Sequence, residues 1–290
     1  MIETAGPQVV FRCRQHRFPI GNRTYIMGIV NVTPDSFSDG GLFAVPNDAL
    51  RQTEAMLTAG ADIIDVGGES TRPGGEPVSA DEELRRILPV VAGIAKRFGC
   101  PISIDTSKPE IARAALEAGA SIVNDVMGLQ SGGSMAQVAA EAQAGVVIMH
   151  NARLYRENNQ DDRHDIISAM TAFLHSSLTL AFQAGLAPDQ IILDPGIGFG
   201  VTTAESLAMI RRLPELQTFE LPILVGPSRK RFIGEILQAP VDERLMGTAT
   251  AVAVAIARGA DFVRVHDVQE LAPVVRMADA ICRSRREEST

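Results

Sequence analysis

The 290-residue sequence predicts an α/β protein of the (β/α)8 TIM-barrel class with a short N-terminal β extension. Short apolar runs recur eight times with helical patterns between them, and several of the helical patterns stop at a glycine. A barrel of about 250 residues would also occupy a chain of this length as one unit.

The apolar runs cover 25–31, 62–67, 101–105, 121–125, 146–150, 190–194, 221–226 and 261–266. They are almost continuous in Ile and Val, as expected of strands with helices on one face and a packed interior on the other. Helical patterns lie near 47–59, 79–98, 109–118, 133–144, 164–185, 203–213, 242–258 and 269–283. The junctions Ala59-Gly60-Ala61-Asp62, Ala118-Gly119-Ala120-Ser121, Ala144-Gly145-Val146 and Arg258-Gly259-Ala260-Asp261 read as helix, stop, strand. Glycine takes the left-handed conformation past a helix end without a Cβ penalty. Such alternation implies parallel βα units. Periodicity alone leaves a doubly wound open sheet as the alternative to a closed barrel. Val9 to Ile20 reads as a hairpin or cap, so the expected organisation is an extension over 1–22, a barrel over 23–283 and a charged tail over 284–290. Ala152 to Asp165, the longest strongly polar segment, reads as a loop after the fifth strand.

Composition narrows the function. The 46% hydrophobic and 21% charged fractions argue against disorder. A formal net charge of −8 argues against electrostatically driven nucleic-acid binding and leaves room for a local basic pocket. Cys13, Cys100 and Cys282 are far apart and lack ligand spacing, which fits a reduced compartment without a disulfide framework or zinc site. The first ten residues lack the basic and apolar regions of a signal peptide, and no apolar run is read as approaching the ~18 residues of a membrane span. The expectation is a cytoplasmic globular protein.

In barrel enzymes the chemistry gathers at the C-terminal ends of the strands. Here those ends carry Asn31, Asp65, Asp105, Asn124 with Asp125, His150, Asp194, Ser228 with Arg229 and Lys230, and Arg264 with His266. Taken singly, Asp105 or Asp194 reads equally well as a turn or cap residue, and His150 as a core histidine. Recurrence at one end of every strand is what points to a site. Asp105, Asn124 and Asp194 suit a flat heterocycle with N–H donors and a carbonyl. Arg229, Lys230 and Arg264, with Arg72 after the second strand, suit a phosphate or pyrophosphate. The glycine-flanked stretches 33–41 and 67–74 read as lids or as long turns, and neither has the spacing of a phosphate-binding or dinucleotide loop. The residues alone reach a barrel enzyme acting on a phosphorylated or pyrophosphorylated heterocycle.

The same residues carry a family resemblance. IMGIVNVTPDSFSDGG (26–41), DIIDVGGESTRPG (62–74), SIDTSKP (103–109), IVNDV (122–126), ILDPGIGFG (192–200), VGPSRKRFIG (225–234) and FVRVHDV (262–268) resemble, in order, the signatures of dihydropteroate synthase. The resemblance implies a homodimeric barrel enzyme of folate biosynthesis. Such enzymes join 4-aminobenzoate to 6-hydroxymethyl-7,8-dihydropterin pyrophosphate and release pyrophosphate with Mg²⁺ present. Carried over residue by residue, the pterin would lie against Asp105, Asn124, Met149, Asp194, Phe199, Lys230 and Arg264. Aminobenzoate would lie against Phe37, Thr71, Arg72, Pro73, Lys230 and Arg231. Pyrophosphate would lie against Asn31, Ser228, Arg264 and His266, with Mg²⁺ on the Asn31 oxygen, a hard donor for a hard cation. Asp35, Arg72, Asp105, Lys230, Arg264 and His266 are the residues implied to act in catalysis.

The implied mechanism is dissociative: pyrophosphate leaves, and positive charge develops on the pterin methylene before the weakly basic aniline attacks. Three departures from the family pattern stand out: Asn151-Ala152-Arg153 where Met-Gln-Gly is common, Val201 in place of Lys, and Arg231 in place of Ser. They raise the expectation of an altered response to sulfonamides, which mimic aminobenzoate. The alternatives are a pterin-binding barrel that passes a methyl group from methyltetrahydrofolate to a corrinoid protein, a Schiff-base lyase using Lys230, and a catalytically silent pterin-binding paralogue.

Overall fold

The structure is a computed structural model that describes residues 9–32, 44–69, 78–132, 134–159 and 165–283. Strands β1 (Val10–Cys13) and β2 (His16–Pro19) pair as an antiparallel hairpin. The eight strands of a parallel sheet follow: β3 (Tyr25–Asn31), β4 (Ile63–Gly67), β5 (Ile102–Asp105), β6 (Ile122–Asp125), β7 (Gly145–Met149), β8 (Ile191–Asp194), β9 (Leu224–Val225) and β10 (Phe262–Val265). The ladder runs β8-β7-β6-β5-β4-β3-β10-β9. Its two ends meet at the Leu193–Ile223 bridge, where the Leu193 N–H donates to the Pro222 carbonyl at 2.9 Å. That contact brings the outer strands together into a barrel, with the seam thin on the β9 side. Of the apolar run 221–226 only two residues enter the ladder as a strand, because Pro222 has no N–H to give and Pro227 follows directly.

Helices α1 (Ala44–Ala59), α2 (Ala80–Arg97), α3 (Pro109–Glu117), α4 (Met135–Glu141), α5 (Ala152–Asn159), α6 (Ile166–Gln183), α7 (Thr203–Arg211), α8 (Arg231–Leu237), α9 (Leu245–Ala257) and α10 (Val268–Cys282) complete the chain. Two of them depart from the sequence reading. The polar segment read as a loop starts with α5, whose first turn is held by the Asn151 side-chain oxygen accepting from the Leu154 N–H at 3.1 Å. A helix also forms at α8, directly after Lys230. The 18 residues of α6 have a hydropathy of 1.3, enough by length and composition to cross a membrane, which the sequence reading did not anticipate. Half of that stretch is buried within the protein, with Met170, Phe173 and Leu174 in the core outside the barrel.

Alternation along the strands separates two cores. Outward residues such as Ile64, Ile104 and Ile148 pack against the helices. Inward residues, among them Met27, Ile63, Ile122, Val147, Ile192 and Phe262, form one buried cluster with Phe11, Cys13 and Phe18 of the hairpin. The hairpin therefore stoppers the N-terminal mouth of the barrel. Phe11 meets Phe262 edge-on at 5.7 Å, and Tyr25 stacks on Phe262 at 5.1 Å. Gly145 makes the seat possible: a Cβ there would lie 2.5 Å from Phe11 and 2.9 Å from Cys13. With that mouth filled, the opposite end, where the polar strand ends converge, is left for chemistry.

Candidate active site

Arg264, at the third position of β10, lies between two buried acids. Its Nε donates to Asp65 Oδ2 at 2.6 Å and its Nη2 to Asp105 Oδ2 at 2.6 Å. Asp65 comes from β4 and Asp105 from its neighbour β5, so one guanidinium ties β10 to both of them across the intervening β3. The Asn124 amide of β6 reaches the same Asp65 oxygen at 3.3 Å. The second oxygens of Asp65 and Asp105 are buried with no hydrogen-bond partner among the described residues. Buried acceptors left open in this way are satisfied by a ligand's donors or by water.

Burial shapes the charges of this floor. It raises Asp105 well above the ordinary carboxylate range; Arg264 opposes the shift and Asp65 adds to it. Burial likewise raises Asp194, against the field of Lys230 and the N–H of Gly196, which donates to Asp194 Oδ1 at 2.8 Å. Burial works against the charge of Arg264, but Asp65 and Asp105 more than offset it, so the guanidinium is held more firmly protonated than usual. Lys230 is pushed down to about 8 by burial, with Asp194 resisting the shift.

Lys230 stands at the start of α8 and reaches back to the loop after β8. Its ammonium donates to the Ile197 carbonyl and lies 4.6 Å from the centre of the Phe199 ring. Met149, at the end of β7, is buried, and the loop passes close to it: a Cβ on Gly196 would sit 3.5 Å from Met149 Cγ. Across the rim, Ser228 Oγ and His266 Nδ1 are hydrogen-bonded at 2.9 Å, and the His266 N–H donates to the same hydroxyl at 3.1 Å. Asn31 ends β3, in register with Gly67 of β4, which is in turn in register with Asp105 of β5. A Cβ on Gly67 would lie 3.8 Å from Asn31 Oδ1 and 3.9 Å from Asp105 Oδ2, so Gly67 keeps open the gap these oxygens face.

Asn31, Asp105, Asn124, Met149, Asp194, Phe199, Ser228, Lys230, Arg264 and His266 thus gather at one end of the barrel. Other residues that sequence reasoning considered go elsewhere. Arg229, counted among the phosphate-gripping cations, is paired with Asp267. Arg231 pairs with Glu235 at 3.2 Å along α8, its side chain 70% exposed. His150 proves to be a core histidine: fully buried, bonded through Nδ1 to the Pro195 carbonyl at 3.0 Å and pushed down by burial to about 4. Asp125 accepts the Met127 and Leu129 N–H groups and serves as a turn residue. Asp35, Phe37, Thr71, Arg72 and Pro73 lie outside the described residues. Sequence reasoning gave no role to Asp65, the buried partner of Arg264. Its signal was its place at the end of an apolar strand, where burial would demand a cation.

With this geometry in view, the comparisons are decisive. A family model described as pterin binding enzyme matches residues 27–266. The chain is 47% identical to a dihydropteroate synthase of Synechocystis sp. over 93% of its own length and 94% of that protein's. The chain belongs to the dihydropteroate synthase family of pterin-binding enzymes. The corresponding protein of Bacillus subtilis is 47% identical, with 89% of each chain covered. Among solved structures, the Clostridium difficile dihydropteroate synthase in the presence of pteroic acid superposes with a TM-score of 0.87 at 45% identity, over 92% of this chain and all of that one. The Xanthomonas albilineans synthase with 4-aminobenzoic acid gives 0.88 at 36% identity, over 96% and 100%. Family membership explains the paired acids and the cationic rim in one structure, and it makes the chain a transferase of folate synthesis.

Proposed function

We infer that the chain condenses 6-hydroxymethyl-7,8-dihydropterin pyrophosphate with 4-aminobenzoate, giving 7,8-dihydropteroate and pyrophosphate. The observation that carries this reading is the Asp65–Arg264–Asp105 bridge beside Asp194 and Lys230: acceptors for a ring's N–H groups and cations for its oxygen and its leaving group, on one floor. Asp194 takes a pair of ring donors, Lys230 donates to a ring acceptor, and Met149 and Phe199 pack beside the ring. The C–O bond to pyrophosphate breaks with its electron pair leaving on the pyrophosphate oxygen. Arg264, Ser228 and His266 receive that charge while Asp105 and Asp194 face the cation developing on the pterin. The aniline nitrogen lone pair then bonds the methylene carbon, and the resulting anilinium, a strong acid, gives one proton to water. No strong general base is required, because an aniline is largely unprotonated at neutral pH.

By the family resemblance aminobenzoate is assigned to Phe37, Thr71, Arg72, Pro73 and Lys230, with Asp35 assigned to catalysis; Arg231, paired with Glu235 on α8, is left out of that set. Asn31 Oδ1 is assigned to Mg²⁺: it is a neutral hard oxygen donor that, with Asp105 Oδ2, faces the space over Gly67. Mg²⁺ held by few protein oxygens keeps waters and substrate phosphates as ligands, and when bound would help neutralise the departing pyrophosphate. A homodimer is supported by exposed Leu237, Met246, Val254, Met277 and Ile281 on the adjacent helices α8, α9 and α10. A cytoplasmic location agrees with the reduced cysteines. Altered sulfonamide tolerance is assigned to the departures at Asn151-Ala152-Arg153, Val201 and Arg231 together, and inhibition constants far below the aminobenzoate KM would contradict that assignment.

Pterin binding followed by fluorescence tests the site. Asp194→Asn and Lys230→Met are expected to weaken binding at least about tenfold, the order of one lost charged hydrogen bond. Unchanged affinity in both would reject it.

A further inference from the structure

The loop Pro195–Gly200 is the shelf on which Lys230 rests, through the Ile197 carbonyl and the Phe199 ring. Three of its residues are glycines at left-handed φ of 75°, 82° and 68°: Gly196, Gly198 and Gly200. Each faces a close neighbour. A Cβ at Gly196 would lie 1.8 Å from the His150 carbonyl oxygen, one at Gly198 3.0 Å from Lys230 Cδ, and one at Gly200 2.6 Å from the Arg153 backbone nitrogen. The loop is thus wedged between the start of α5 and the Lys230 stem, with no slack on either side.

Its far end is fastened from α5. Arg156 Nη1 donates to the Gly200 carbonyl at 2.5 Å, and Nη2 pairs with Glu205 Oε1 at 2.5 Å. Glu205 is itself tied into the first turn of α7, its other oxygen accepting from the Thr202 N–H at 2.7 Å. One guanidinium therefore joins α5, the end of the shelf and α7. Its hydrogen bonds to Gly200 and Glu205 are to residues that are not among the groups assigned to substrate.

We propose that Arg156 is a positioning residue of the pterin half of the site, fixing Gly200 and through it the ring and carbonyl that seat Lys230. The proposal rests on the reaction inferred above. Kinetics of the full chain test it in a double-mutant cycle. Arg156→Gln and Phe199→Leu should each raise the KM for dihydropterin pyrophosphate about fivefold, and the double variant should be no worse than Phe199→Leu alone, because residues acting through one contact are non-additive. The aminobenzoate KM should move less than about twofold, and Arg156→Lys should recover part of the loss. Arg153→Ala, which removes only an exposed pair with Glu157 on the same helix, is expected to behave as wild type. If Arg156→Gln fails to fold, Glu205→Gln loosens the same guanidinium and should give the same KM pattern.

Multiplicative effects in the double variant would overturn the proposal, as would an unchanged KM in a folded Arg156→Gln protein or an equal effect of Arg153→Ala. Pterin affinity by fluorescence carries the same cycle without turnover. Absence of any aminobenzoate-dependent product in the wild type would instead count against the inferred reaction.

Discussion

Arg264 is the residue on which the floor of the site depends. It is bound by one carboxylate from each of two strands, and truncating one partner of a buried pair leaves a charge unanswered. Asp65→Asn is therefore expected to lower stability by about 3 kcal/mol in urea unfolding, the low end for such pairs because Asp105 remains. No loss of stability would mean that Arg264 finds water instead. Asp105 and Asp194, both raised by burial, bind protons more tightly folded than unfolded. They stabilise the fold in acid, and that contribution is lost as pH rises through their folded values. Catalysis needs them ionised and Lys230 protonated. The kcat/KM for the pterin substrate should therefore rise with pH as Asp105 ionises, at a pH above the ordinary carboxylate range, and fall again near pH 8 as Lys230 loses its proton. A flat profile across that span would show that neither group titrates in the free enzyme.

At the scale of elements, two glycines carry the fit. Gly145→Ala would drive a methyl group into Phe11 and Cys13, and the expected result is a loss of about 1–3 kcal/mol as the hairpin lifts from the barrel mouth. Gly196→Ala would meet the His150 backbone oxygen, which cannot rotate away, so it should cost more and should also lower pterin affinity; calorimetric melting of both variants decides the order. The strands and their polar ends were legible in the sequence because apolar runs ending in Asp or Asn are local patterns. The α5 helix was not, because its polar composition reads as loop and its start depends on one Asn151 side-chain cap. The roles of Asp65, Arg229 and His150 were illegible for another reason. Each is decided by which way a side chain turns, toward Arg264, toward Asp267 or into the core, and that is settled only by packing.

For the whole molecule, barrel closure is what makes a site of residues far apart in sequence: Asp65 and Arg264 are separated by 199 positions yet bonded at 2.6 Å. The stoppered mouth and the polar mouth divide stability from chemistry. The proposed homodimer would bury the exposed apolar side chains of α8, α9 and α10, so Met246→Glu with Met277→Glu should give monomers in sedimentation at micromolar concentration where the unsubstituted chain gives dimers; identical sedimentation of the two would reject that seam. The most direct test of the inferred reaction is pyrophosphate release from 6-hydroxymethyl-7,8-dihydropterin pyrophosphate with Mg²⁺, measured with and without 4-aminobenzoate. Release that depends on aminobenzoate, matched mole for mole by dihydropteroate, is the expected result. Tight pterin binding with no aminobenzoate-dependent release would contradict it.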